Sequence, residues 1–93
     1  MKGLPHQTTP NCLKKYRRAR GLSQREVARI LGLKGTSMIS RWEKGVCLPS
    51  LPNGLKLAAV YRTLTDVLFV DPVRLLRKEL LKREEEAFPH KND

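Results

Sequence analysis

The sequence predicts an all-α fold of six short helices. Apolar residues recur at intervals of three and four, which places them on one face of a helix. Capping residues and glycines lie where such segments would begin and end. No segment alternates apolar and polar residues over the length of a β-strand. We expect five helices to form one bundle and the sixth to follow it.

Caps predict where the helices start, and glycines predict where the first three helices end. A Ser, Thr or Asp N-cap accepts a hydrogen bond from a first-turn amide, and Pro at the first helical position has no amide to leave unpaired. Glycine adopts the left-handed conformation that closes a helix. The predicted starts are Thr9-Pro10, the capping box Ser23-x-x-Glu26, Ser50, Thr63-x-x-Asp66 and Asp71-Pro72, and the predicted ends are Gly21, Gly32, Gly45, Val70 and Ala87.

The apolar spacing also predicts which side chains make the contacts of each helix. The third helix is expected at about residues 36–44. The expected apolar contacts are Leu13 and Tyr16, then Val27, Ile30 and Leu31, then Ile39 and Trp42, then Leu51, Leu55, Leu57, Ala58 and Tyr61. On the last helix, Val73, Leu76 and Leu80 form one apolar stripe.

The positive charge lies in the first three quarters of the chain. The net charge is +10, and residues 1–70 hold 13 Lys and Arg against three acidic residues, whereas residues 71–93 hold six of each sign. A surface with this excess attracts polyanions and releases counterions when it binds them. Charge alone leaves two interpretations open, nucleic-acid binding and simple solubility.

The sequence shows no constellation for catalysis, metal binding or a cofactor. Cys12 and Cys47 form no CxxC pair and have no His at metal-ligand spacing, so we expect free thiols in a reducing compartment. His6 and His90 lie in predicted tails. No apolar run reaches membrane-spanning length, and the N-terminal residues lack the apolar core expected of a signal peptide. We therefore expect a cytoplasmic protein that is not an enzyme and has no membrane association.

The residues between positions 22 and 58 carry a family resemblance. The matching residues are Leu22-Ser23-Gln24, Val27-Ala28, Leu31-Gly32-Leu33, Ile39-Ser40, Glu43, Gly45, Pro49-Ser50-Leu51 and Leu57-Ala58. Over roughly residues 10–70 the chain resembles the phage repressor and Cro class, the XRE-type helix-turn-helix family. The resemblance implies a five-helix DNA-binding domain whose third helix enters the major groove.

The resemblance also implies roles for individual residues. Base contacts are expected from Thr36, Ser37, Ser40 and Arg41, phosphate contacts from Ser23, Gln24 and Lys44, and a structural ion pair from Arg17 and Glu43. Arg41 is the strongest candidate for reading a base, since an arginine fork bonds both O6 and N7 of guanine; a contact to phosphate alone is the alternative. Between Gly32 and Ile39 the chain has six residues where the family usually has five. This extra residue, near Gly35, leaves the register of Thr36 and Ser37 open by one position.

These observations predict a sequence-specific transcriptional regulator that binds double-stranded DNA, at a palindromic operator and as a homodimer. The expected divisions are an arm at 1–8, the DNA-binding domain at 9–70, a C-terminal helix at 71–88 and a tail at 89–93. The last helix either forms the dimer contact or covers its own core. One alternative is an antitoxin-like or adaptor module that binds a protein partner through residues 73–86. Another is a non-specific RNA or nucleoid binder.

Overall fold

The computed structural model describes residues 8–90, and these residues form helices and no strand. The helices in chain order are α1 (Leu13–Ala19), α2 (Gln24–Leu31), α3 (Ser37–Glu43), α4 (Leu51–Tyr61), α5 (Thr65–Leu68) and α6 (Val70–Ala87). The predicted all-α class, with five helices followed by a sixth, is confirmed. Most of the predicted arm (residues 1–7) and the end of the predicted tail (residues 91–93) lie outside the described residues.

The core is built by α1–α5 together with the residue that precedes α6. Its buried side chains are Leu13, Val27, Ala28, Leu31, Ile39, Trp42, Leu57, Ala58, Tyr61, Leu68 and Phe69. Three expected contacts are wrong, because Ile30, Leu51 and Leu55 are 57%, 73% and 53% exposed. The buried face of α2 is centred on Val27, Ala28 and Leu31, so Ile30 lies to one side of it. In α4 the inner face begins at Gly54, which leaves Leu51 and Leu55 on the outside.

Several predicted caps are confirmed. The Ser23 hydroxyl accepts from the Glu26 amide at 3.0 Å, and the Glu26 carboxylate accepts from the Ser23 amide at 2.8 Å. The Ser50 hydroxyl accepts from the Asn53 amide at 3.3 Å. The predicted glycine ends have positive φ angles: Gly21 (71°), Gly32 (80°) and Gly45 (74°).

The predicted start of α1 is wrong, since the helix begins at Leu13 and not at Thr9-Pro10. Hydrogen bonds to distant parts of the chain hold the preceding residues outside the helix. The Thr9 amide donates to the Gly45 carbonyl at 3.3 Å, and the Cys12 amide donates to the Leu68 carbonyl at 2.9 Å. Tertiary contacts therefore override a local cap signal here.

The starts of α5 and α6 also differ from prediction. Thr63 is no cap, because its amide donates to the Ala58 carbonyl at 3.0 Å and so belongs to the turn that closes α4. The α6 helix begins at Val70, so the predicted Asp71-Pro72 start lies inside its first turn. Pro72 fits there because a first-turn amide has no partner within the helix.

The outer part of α6 extends away from the core. Pro72 is buried and Val73 is partly buried against the core, whereas every residue from 74 to 90 is exposed. The described part of the molecule is correspondingly elongated, with extents of 50 × 33 × 20 Å. Helix α6 thus begins on the bundle and leaves most of its length in solvent.

Candidate nucleic-acid interface

Helix α3 has one face in the core and the opposite face in solvent. Ile39 and Trp42 are 1% and 2% exposed and fix the orientation of the helix. The predicted DNA-contacting residues of α3 and its flanks are Thr36 and Ser40, which are half-buried, and Ser37, Arg41 and Lys44, which are exposed. Positions 37, 40, 41 and 44 follow the spacing of one helical face. This defines the reading face as Ser37, Ser40, Arg41 and Lys44.

The helix boundary shows where α3 begins relative to the extra residue near Gly35. Thr36 is the N-cap of α3, although its side chain makes no capping hydrogen bond, and Ser37 is the first helical residue. Lys34 and Gly35 therefore lie in the turn. Of the candidate base-contacting residues, Thr36 precedes the helix, and the other three occupy its first, fourth and fifth positions.

A buried carboxylate holds the end of α3 against α1. The Glu43 oxygens accept from Arg17 Nε at 2.6 Å and from Nη2 at 3.2 Å, and only 10% of the Arg17 side chain and 5% of the Glu43 side chain are exposed. Arg17 Nη1 also donates to the Leu22 carbonyl at 2.9 Å. The hydrogen bond with Glu43 raises the pKa of Arg17, despite the opposing effect of burial. The guanidinium thus keeps its charge, and its bonds to the Glu43 carboxylate fix the reading face relative to α1.

Gln24, predicted to contact phosphate, bonds to the same carboxylate. Its Nε2 donates to Glu43 Oε1 at 3.0 Å, so one acidic side chain links α1, α2 and α3. No local sequence pattern indicated this bond, since the two residues lie 19 positions apart. The amide retains a second N–H, and the Gln24 backbone N–H is one of the unpaired amides at the start of α2.

Asn11 is a residue of this site that sequence reasoning missed. Its side-chain Nδ2 donates to the Trp42 carbonyl at 2.8 Å, and its Oδ1 accepts from the Leu13 amide at 3.0 Å. It therefore joins the first turn of α1 to the last turn of α3. The Asn two residues before the helix was the available signal, since Asn is a common capping residue.

The family of this domain follows from a match to a family model. A family model described as Helix-turn-helix matches residues 13–68, which is more than half of the chain. The chain belongs to the XRE-type helix-turn-helix family. The family is one of DNA-binding domains, and such domains are typically non-enzymatic. No significant match was found among curated proteins or among solved structures.

In this helix-turn-helix unit, exposed basic side chains surround the start of the reading helix. Arg25 and Arg29 of α2 line a cleft with Lys34 and Thr36, beside the first turn of α3. Arg20, by contrast, donates from Nε to the Val60 carbonyl at 3.1 Å, so its guanidinium ties α1 to α4. The basic residues thus have separate roles, and those of the cleft lie next to the reading face.

Two polar atoms of the unit are buried without a hydrogen-bond partner among the described residues, Trp42 Nε1 and the Tyr61 hydroxyl. Burial raises the pKa of Tyr61 to about 12. The phenol is therefore neutral at physiological pH and adds no charge to the Arg17–Glu43 pair.

The described residues contain no group of three or more His, Cys, Asp or Glu side chains that could hold a metal ion. Cys12 and Cys47 are free thiols. Within residues 8–90, none of the helices has both the length and the apolar character needed to span a membrane.

Proposed function

We propose that this protein is a sequence-specific transcriptional regulator that places α3 in the major groove of double-stranded DNA. The observation that carries the proposal is the pair of opposed faces of α3. Ile39 and Trp42 anchor one face in the core, and the opposite face presents hydroxyl and basic side chains to solvent. Such a helix is anchored on one side and presents groups that bond to base edges on the other.

Arg41 is the proposed principal base contact. It is exposed on the reading face, and its guanidinium can donate two hydrogen bonds to one guanine. Thr36, Ser37 and Ser40 are the proposed secondary base contacts. Their hydroxyls bond to several bases, so they contribute more to contact than to discrimination.

Ser23, Gln24 and Lys44 are the proposed phosphate contacts. The Ser23 oxygen accepts within the capping box, which leaves its O–H hydrogen to donate. Gln24 has one side-chain N–H beyond the bond to Glu43, and the amides at the start of a helix favour anions. Lys44 is exposed at the C-terminal end of the reading face. We add the basic cleft, Arg25, Arg29 and Lys34, as a further electrostatic contact.

We further propose a repressor-like homodimer that acts in the cytoplasm and is nucleoid-associated when bound. One domain of this size reads few base pairs, and two-fold symmetry extends the site to two half-sites about one helical turn apart. The operator is therefore palindromic. In this proposal, residues 9–70 form the DNA-binding unit and residues 71–88 supply the contact between copies.

Binding selection from random duplex DNA tests the proposal. We expect an enriched palindrome, and Arg41→Ala should relax the preference at one position of each half-site by about 1–3 kcal/mol. Lys44→Ala should weaken binding to all sequences alike and lower its salt dependence. Lys82→Ala, on the exposed part of α6, is the control and should leave binding unchanged. A lack of enrichment over bulk DNA would overturn the proposal. A uniform loss of affinity in Arg41→Ala would favour the non-specific nucleic-acid binder.

One observation favours a second candidate, an antitoxin-like or adaptor module that binds another protein through residues 73–86. Leu76, Leu80 and Leu81 of α6 are each more than half exposed, which is typical of a contact surface. A stoichiometric protein partner together with weak, sequence-blind DNA binding would support this alternative.

A further inference from the structure

Helix α6 carries an apolar face that the described residues leave open. We define the leucine face as Val73, Leu76, Leu80 and Leu81. Val73 packs partly against the core, whereas the three leucines are 52%, 57% and 54% exposed. The face borders an open groove, and it continues toward the core as an apolar cleft. Exposed apolar area that is contiguous in this way marks a contact site.

Two opposite charges lie inside this face. Arg77 and Glu84 line the same groove as the leucines and are seven residues apart, so they lie on nearly the same line along the helix. Neither forms an ion pair with another described residue. The neighbouring ion pairs of α6, Arg74–Asp71 at 3.7 Å and Arg83–Glu79 at 3.6 Å, involve other residues.

The charges of α6 are also arranged with opposite signs in its two halves. Residues 70–78 carry three basic side chains and one acidic side chain, and residues 79–87 carry two basic and four acidic ones. A helix with this polarity is complementary to a second copy of itself that runs in the opposite direction. It is repelled by a copy that runs in the same direction.

We infer that α6 binds α6 of a second copy in antiparallel orientation, about a two-fold axis beside Leu80 and Leu81. Residues opposite one another then have numbers that sum to 161, because Leu80 and Leu81 flank the axis. Arg77 consequently meets Glu84 of the partner subunit, and the symmetry makes this pair twice. In this arrangement, leucines of the two helices pack on both sides of each ion pair. The inference rests on the proposed homodimer and specifies its interface.

The position of Arg77 and Glu84 selects the direction of pairing. Each lies about 5 Å along the helix from the axis, on either side of it. An antiparallel pair brings unlike charges together, whereas a parallel pair in register brings each charge against its own kind. A contact of one helix from each copy is at the small end of stable interfaces, so we expect dimerisation in the micromolar range.

Sedimentation equilibrium on the full chain, without DNA, tests this interface. Arg77→Glu and Glu84→Arg should each raise the dimer dissociation constant about tenfold or more, because each creates two like-charge contacts. The double variant should restore dimerisation. An equimolar mixture of the two single variants should also restore it, as a heterodimer with two attractive pairs. This recovery separates a charge effect from misfolding.

Lys82→Glu and Glu86→Arg are the matched controls, since they make the same charge changes on the opposite side of α6 and should leave the dissociation constant unchanged. A chain that stays monomeric throughout the micromolar concentration range would overturn the inference, and so would a dimer that Arg77→Glu leaves intact. Either result leaves the DNA-binding proposal standing, because the Arg41→Ala comparison tests that proposal separately.

Discussion

The packed body of the protein, residues 8–73, and the outer part of α6, residues 74–90, use the same side-chain types to different effect. In the body, Arg17 and Glu43 approach to 2.6 Å in a buried site. In α6, Arg83 and Glu79 are 3.6 Å apart, with 70% and 56% of their side chains exposed. Leu57 is 1% exposed, whereas Leu80 is 57% exposed. Side chains of the body therefore hold the fold together, and those of outer α6 are available to another molecule.

The largest expected difference between the two regions is in the stability lost when a paired glutamate is replaced by alanine. Glu43→Ala leaves the buried guanidinium of Arg17 without its counter-charge and should lower the free energy of unfolding by about 3–5 kcal/mol. Glu79→Ala removes the exposed pair of α6 and should cost less than about 0.5 kcal/mol. Urea unfolding followed by circular dichroism measures both. Similar losses for the two variants would mean that the buried pair has no special role.

The next largest effect is expected from Gly45, at the end of the reading helix. Its φ angle is +74°, and an added Cβ would collide with the carbonyl oxygen of Thr9. Gly45→Ala should therefore destabilise the body by about 2–4 kcal/mol, from backbone strain and overpacking together.

Gly32→Ala is the matched control for that variant. Gly32 has a φ angle of +80°, but a Cβ added there would have no neighbouring atom within 4 Å, so only the strain of about 1–2 kcal/mol applies. Thermal unfolding of both variants separates the two contributions. Equal destabilisation of Gly45→Ala and Gly32→Ala would show that the contact between the added Cβ and the Thr9 backbone costs nothing.

The smallest expected effect has the opposite sign. Gly54 is buried within α4, and an added Cβ would lie 4.0 Å from Phe69 and Pro49, in ordinary van der Waals contact. Gly54→Ala should raise the free energy of unfolding by about 0.5–1 kcal/mol, since alanine favours a helix more than glycine does. A decrease in the urea midpoint would show that the space beside the start of α6 is already filled.

Local signals in the sequence predicted most of the fold and only part of the site. The capping box at Ser23 and the glycine at Gly32 depend on neighbouring residues alone, so their pattern could be read directly. The start of α1 depends on bonds from Thr9 and Cys12 to residues far along the chain, which no local pattern shows. The bond from Gln24 to Glu43 was missed for the same reason. The DNA-contacting roles stay predictions, because they concern a molecule outside the chain.

The two hydrogen bonds of Asn11 have a consequence for how the domain folds. Helices α1 and α3 have seven residues each, too short to persist alone in water. The side-chain amide of Asn11 joins the first turn of α1 to Trp42, 31 residues away, and so links the two helices across a closed loop. We therefore expect α1 and α3 to open together. In amide hydrogen exchange the best-protected amides of the two helices should share one opening free energy, and a lower value for α3 alone would contradict this expectation.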